Sequence, residues 1–113
     1  MFGKLGQLTS LLGNLPKIKA EMENLKERLG RLSAEGDAGG GMVRVKITGQ
    51  FKLLSCTISP EALAGGDREL LEDLIVAATN QAVDRVRQLV AEETGKLAQE
   101  FGVPPGITLP GMG

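Results

Sequence analysis

The sequence predicts a small α+β fold. Three observations carry this: a heptad stripe early in the chain, a strand hairpin in the middle and a long helical pattern in the second half. With 113 residues there is room for one domain. Leu8, Leu11, Leu15, Ile18, Met22, Leu25, Leu29 and Leu32 recur in alternating steps of three and four, an a/d seam. Asn14 is placed to cap this helix and Pro16 to sit in its first turn, so the helix is expected over about 15–31, with Gly30 near its end. Residues 1–14, rich in Gly and Leu, are expected to be flexible.

MVRVKITG alternates strictly: Val43, Val45 and Ile47 on one face, Arg44, Lys46 and Thr48 on the other. After Gly49–Gln50 a second strand follows, with Leu54, Cys56 and Ile58 in step on the apolar side, and Pro60 ends it. Cys56 is expected to be a buried small hydrophobe. Periodicity alone makes Glu35 to Gly41 a turn region. From Asp67, a plausible N-cap, the pattern is helical to about residue 99. Its apolar arc spans roughly 200°, against the ~100° of a one-sided surface helix. The helix is therefore expected to cover the sheet with one side and a second copy of the chain with the other. Leu71, Ile75, Val76, Val83, Val86 and Val90 are the candidates for that dimer interface. Residues 15–100 form the single domain, and 101–113 a Pro/Gly-rich tail expected to be flexible.

Composition excludes several functions. There is no His, Trp or Tyr, and there is one Cys. A His-based triad, an imidazole acid–base, a Cys-cluster metal site and an internal disulfide are all ruled out. Three Phe do not make a base-stacking platform. The adjacent carboxylates Glu72 and Asp73 point apart on a helix, so they make no catalytic pair. Gly39 to Gly41 lacks the Lys-Ser/Thr and helix start of a phosphate loop and reads as a connector. No cofactor, metal or small-molecule substrate is expected. The longest apolar run, Leu74 to Ala78, is five residues, so no membrane span is expected. The broken N-terminal pattern is a poor signal peptide, and a cytoplasmic location is expected.

The net charge of −1 hides an asymmetry. Residues 1–56 hold nine Lys/Arg and five acids, a balance of +4; residues 57–113 hold four and nine, a balance of −5. Lys17, Lys19, Lys26, Arg28 and Arg31 lie off the heptad seam, and Arg44 and Lys46 lie on the polar face of the hairpin. Such patches can bind phosphate backbones, or simply solvate the surface.

Five segments occur in a telling order: MFGKLG at the start, the Met/Leu/Lys/Glu-rich first helix, EGDAGGGMVRVKITGQ, CTISPEAL followed by LLEDLIVAATNQA, and PPGITLPGM near the end. In this ordered set the chain resembles the YbaB/EbfC family of small bacterial nucleoid-associated DNA-binding proteins. The resemblance implies an α-β-β-β-α protomer with a three-stranded antiparallel sheet and long terminal helices. It implies a first short strand over Leu32 to Asp37, and an intertwined homodimer whose first helices project as arms. It further implies binding of double-stranded DNA with little sequence preference, a place at the nucleoid, a role in DNA organisation and sometimes in gene expression, and no enzymatic activity. The DNA-binding candidates are then Lys17, Lys19, Lys26, Arg28 and Arg31 on the arm, with Arg44 and Lys46 second. The alternative is a dimeric interaction module whose heptad arms bind a protein partner.

Overall fold

The computed structural model describes Gly6, Thr9 and residues 12–102; Leu8, Leu11, the rest of the N-terminal segment and residues 103–113 lie outside this description. The described chain runs α1 (Leu15–Arg31), β1 (Ser33–Ala38), β2 (Val43–Thr48), β3 (Leu53–Ile58), α2 (Pro60–Ala64) and α3 (Arg68–Glu100). The sheet is antiparallel throughout, in the order β1-β2-β3.

Helix α1 begins where Pro16 permits, at N1/N2, but the Asn14 side chain makes no capping bond; its carbonyl accepts the Ile18 N–H at 2.8 Å instead. Asp67 does cap α3, accepting from Leu70 N at 3.0 Å. The short α2 is an element that the hairpin pattern did not predict. Ser59 caps it through Ala62 N, with Pro60 in its first turn.

β1 corrects the turn expected over Glu35 to Gly41 and agrees with the resemblance. Its sequence, SAEGDA, shows no alternation of large apolar residues, and packing explains why. Ala34, Gly36 and Ala38 lie opposite Ile47, Val45 and Val43 and face α3. There the helix comes so close that a Cβ on Gly36 would stand 2.1 Å from the Ala78 carbonyl oxygen and 2.4 Å from Ala82 N. Only small residues fit beneath it. Gly39, Gly40 and Gly41, with φ of 65°, 67° and 92°, then turn the chain in the left-handed region.

Two cores share α3. Its first half lies on the sheet, where Ala78, Ala82 and Val86 are fully buried against Val43, Val45 and Ile47. Its second half packs against α1: Ile18, Met22, Leu25 and Leu29 meet Leu97, with Leu32, Val90 and Phe101 around them. The heptad seam therefore finds a partner inside the same protomer. The arm is a pair of helices, not α1 alone. Much of the wide apolar arc of α3 is spent on these two partners.

The β2–β3 turn ties arm to sheet. Gly49 N donates to the carbonyls of Leu29 (2.9 Å) and Leu32 (3.0 Å), and Gln50 Nε2 donates to Lys26 O (2.7 Å). The buried Thr48 hydroxyl accepts from Gln50 N and Lys52 N, which holds Phe51 at a φ of 62°. The molecule is long, 67 × 25 × 16 Å, with a radius of gyration of 19.6 Å against about 13 Å for a compact chain of this length.

β3 departs from expectation. A bulge at Lys46/Ile47 puts Leu53, not Leu54, opposite Ile47. Cys56 does share a face with Val45, yet it is exposed, not buried. The cause is lateral: α3 covers β1 and β2 and leaves the edge strand β3 open, with Leu53 56 % and Leu54 53 % exposed.

Candidate nucleic-acid interface

Because the α1 seam is buried, every charged residue of that helix is forced to its flanks or outer face. The five arm cations do not form one set. At 100° per residue Lys19 and Lys26 share one flank, while Lys17, Arg28 and Arg31 lie towards the other. Lys19 and Lys26, with Glu23, border an open, mainly apolar groove of about 740 Å³ whose walls include Leu15, Pro16, Ile18 and Met22.

Arg28 is committed inside the arm. Its Nη2 lies 3.0 Å from Glu93 Oε2, and Lys96 Nζ is 3.4 Å from the other Glu93 oxygen. The Glu93 side chain is only 15 % exposed, so its charge is shielded from water and held by these two cations. Glu21 and Glu100 line the same cleft, which leaves that surface close to neutral. Arg31 pairs with Glu27 at 3.9 Å, both side chains being well exposed. Lys17, Lys19 and Lys26 are exposed, and among the described residues none of them has an ion-pair partner.

On the sheet, Arg44 is exposed and Lys46 half-buried on the face away from α3. The register sets Asp37 opposite Arg44 and Glu35 opposite Lys46, so an acidic column on β1 lies beside the basic column on β2. An anion approaching Arg44 and Lys46 meets both signs. Lys96 was hidden from sequence reasoning because it belongs to the acidic half of the chain, and nothing local says that residues 93–97 fold beside α1.

Of the apolar candidates for self-association, Val86 is fully buried in the protomer's own core. Leu71, Ile75, Val83 and Val90 are half-buried against that core, and Val76 is 59 % exposed. Among the described residues no group of three or more His, Cys, Asp or Glu is placed to hold a metal ion, and no helix is long and apolar enough to cross a membrane.

A helical arm on a small half-covered sheet, with Lys17, Lys19 and Lys26 exposed and without ion-pair partners among the described residues, presents the kind of charge that a polyanion contact uses. Residues 4–101 match the YbaB/EbfC DNA-binding family, and the chain belongs to that family. It is 35 % identical to the nucleoid-associated protein mlr5504 of Mesorhizobium japonicum, across 91 % of this chain and 96 % of that one. It is 42 % identical to the nucleoid-associated protein CT0805 of Chlorobaculum tepidum, across 78 % of each. The crystal structure of the uncharacterized protein HP0035 from Helicobacter pylori superimposes with a TM-score of 0.64 at 28 % identity, covering 80 % of this chain and 90 % of that one.

Proposed function

We propose that this protein is a nucleoid-associated homodimer that binds double-stranded DNA largely without sequence preference, through contacts to backbone phosphates. The observation that carries the reading is the division of the arm cations. Lys17, Lys19 and Lys26 keep their charge free for a polyanion, while Arg28 spends its charge on Glu93. Free lysines on a helix exterior act as point charges, which favour phosphate neutralisation over base reading. Arg44 and Lys46 are secondary contacts on the sheet.

Self-association supplies two arms per particle. Its physical basis is the uncovered apolar surface: Phe51, Leu53, Leu54, Leu63, Leu70 and Val76 are each about half exposed or more. In a dimer three free lysines per arm neutralise about six phosphates, which gives a log–log salt slope near −5. Titration of duplex DNA with the wild type and with a Lys17→Ala/Lys19→Ala/Lys26→Ala variant tests this. The variant should remain folded and lose most of the affinity and of the slope. Undiminished binding by it overturns the assignment. A competing reading, in which the arm docks a protein partner, draws on the apolar groove at Leu15, Ile18 and Met22 and predicts binding that hardly responds to salt.

A further inference from the structure

The two-helix arm has two unlike sides. On one, Arg28 of α1 meets Glu93 of α3, and Glu21, Lys96 and Glu100 border the same cleft. Charge fills that side. On the other runs the open groove, with Leu15, Ile18 and Met22 in its walls and Lys19 and Lys26 at its rim. Glu93, Lys96 and Glu100 occupy one flank of α3, so the opposite flank, which carries Ala91, Thr94 and Ala98, lies on the groove side. These small side chains leave the crease between the helices unfilled.

Two features of the groove side ask for a polypeptide. Its walls are mainly apolar, and Leu15 is exposed in them. Thr94 Oγ1 is buried and, among the described residues, has no hydrogen-bond partner. A hydrocarbon ligand would leave that hydroxyl unsatisfied, whereas a backbone carbonyl or N–H would not.

The end of α3 delivers such a segment. Arg28 lies beside Glu93, and Glu21 shares their cleft with Glu100, so the helices are antiparallel. Phe101, which packs into the core between them, therefore stands level with about residue 20 of α1, inside the span of the groove. Gly102 follows at a φ of 68°, the left-handed turn that takes a chain off a helix end, and its N–H donates to Gln99 O at 3.1 Å. The next seven residues are VPPGITL, without a charge, and Val103, Ile107 and Leu109 are apolar. From Leu15 to Lys26 the groove runs about 17 Å at ~1.5 Å per residue. Residues 103–109 reach about 22 Å at the ~3.1 Å per residue of an extended Pro-rich segment.

We propose that residues 103–109 seat in this groove of their own protomer, their apolar side chains against Leu15 and Met22. Point of departure, length and composition select this occupant. The tether sets an effective concentration in the mM range, so even a weak contact is populated, and Pro104 and Pro105 lower the cost of ordering. The segment then straps α1 to α3, covers the face that a protein partner would otherwise take, and leaves Lys19 and Lys26 free at the rim. This inference is independent of the DNA reading.

Nitrogen-15 relaxation of the full-length wild type tests the seating. The N–H groups of Gly106, Ile107, Thr108 and Leu109 should have order parameters close to about 0.85, the rigid-backbone value, against less than about 0.6 for a free segment. Leu15→Asp puts a charge into the groove at the first position of α1, where an acid suits the helix, and circular dichroism checks its fold. In it the four order parameters should fall below about 0.6. A second variant, Ile107→Asp/Leu109→Asp, alters no residue of the described core and should shift the Leu15 methyl signals. Mobile wild-type residues overturn the proposal and leave the groove to another occupant. Rigid residues that Leu15→Asp does not release, or Leu15 signals that the second variant does not move, place the segment elsewhere and overturn it. Rigidity that vanishes on dilution assigns the seat to another copy's groove and overturns the strap within the protomer.

Discussion

Gly36→Ala is a one-carbon change whose cost can be worked from the packing. The added Cβ would lie 2.1 Å from the Ala78 carbonyl oxygen, 1.3 Å short of the 3.4 Å at which ordinary contact begins. It would also lie 2.4 Å from Ala82 N. Both obstacles are helix backbone, so no side chain can rotate away, and α3 must lift by about 1 Å. A gap of that size forfeits about a quarter to a half of each contact it opens. The contacts at risk are those of Ala78, Ala82 and Val86 with Val43 and Val45, all fully or almost fully buried. Overpacking of this kind costs about 1–3 kcal/mol, and a backbone-on-backbone clash belongs at the upper end, about 3 kcal/mol. In urea, with a slope of about 1.5 kcal/mol/M, the midpoint should fall by about 2 M. Protein concentration must be held fixed, since association shifts apparent stability. Gly95→Ala is the control. It is the same substitution inside α3 with nothing within 4 Å of the new Cβ, and it should raise stability by about 0.5–1 kcal/mol. A midpoint for Gly36→Ala within 0.3 M of wild type, in the same ~1.5 kcal/mol/M scale, would refute the account of β1.

Arg28→Ala should cost about 1 kcal/mol, because it leaves the shielded Glu93 to Lys96 alone, while the DNA salt slope stays close to wild type. Thermal unfolding and a salt titration read the two effects separately. Thr48→Val keeps the shape of the β2–β3 turn residue but removes the acceptor for Gln50 N and Lys52 N; melting should fall by several degrees for a cost of about 1–2 kcal/mol. Gln50→Ala removes the bond to Lys26 O and should leave melting almost unchanged while hydrogen exchange in the β2–β3 turn rises.

The long helices were legible because each carries one period over many residues. The α1 seam from Ile18 to Leu29, the Asp67 cap and the alternation of β2 appear in the structure where the sequence puts them, while Leu15 of the same seam is 47 % exposed. β1 was not legible from periodicity, since the closeness of α3 demands Ala and Gly where a strand would ordinarily show its large residues. The exposure of Cys56 was equally hidden: alternation says which face a residue is on, not whether a helix reaches that far across the sheet. At the candidate interface, sequence supplied the right residue types and could not sort them. Arg28 faces the flank of α1 that meets Glu93, 65 positions further along the chain, and Lys26 faces the other.

The central claim is that free arm lysines bind DNA phosphates. Fluorescence anisotropy of a labelled duplex of about 30 base pairs, titrated at three salt concentrations, tests it most directly. The account predicts a log–log slope near −5, or an affinity loss of about 10³ between 50 and 200 mM salt. Absence of binding at low salt, or binding indifferent to salt, would contradict it.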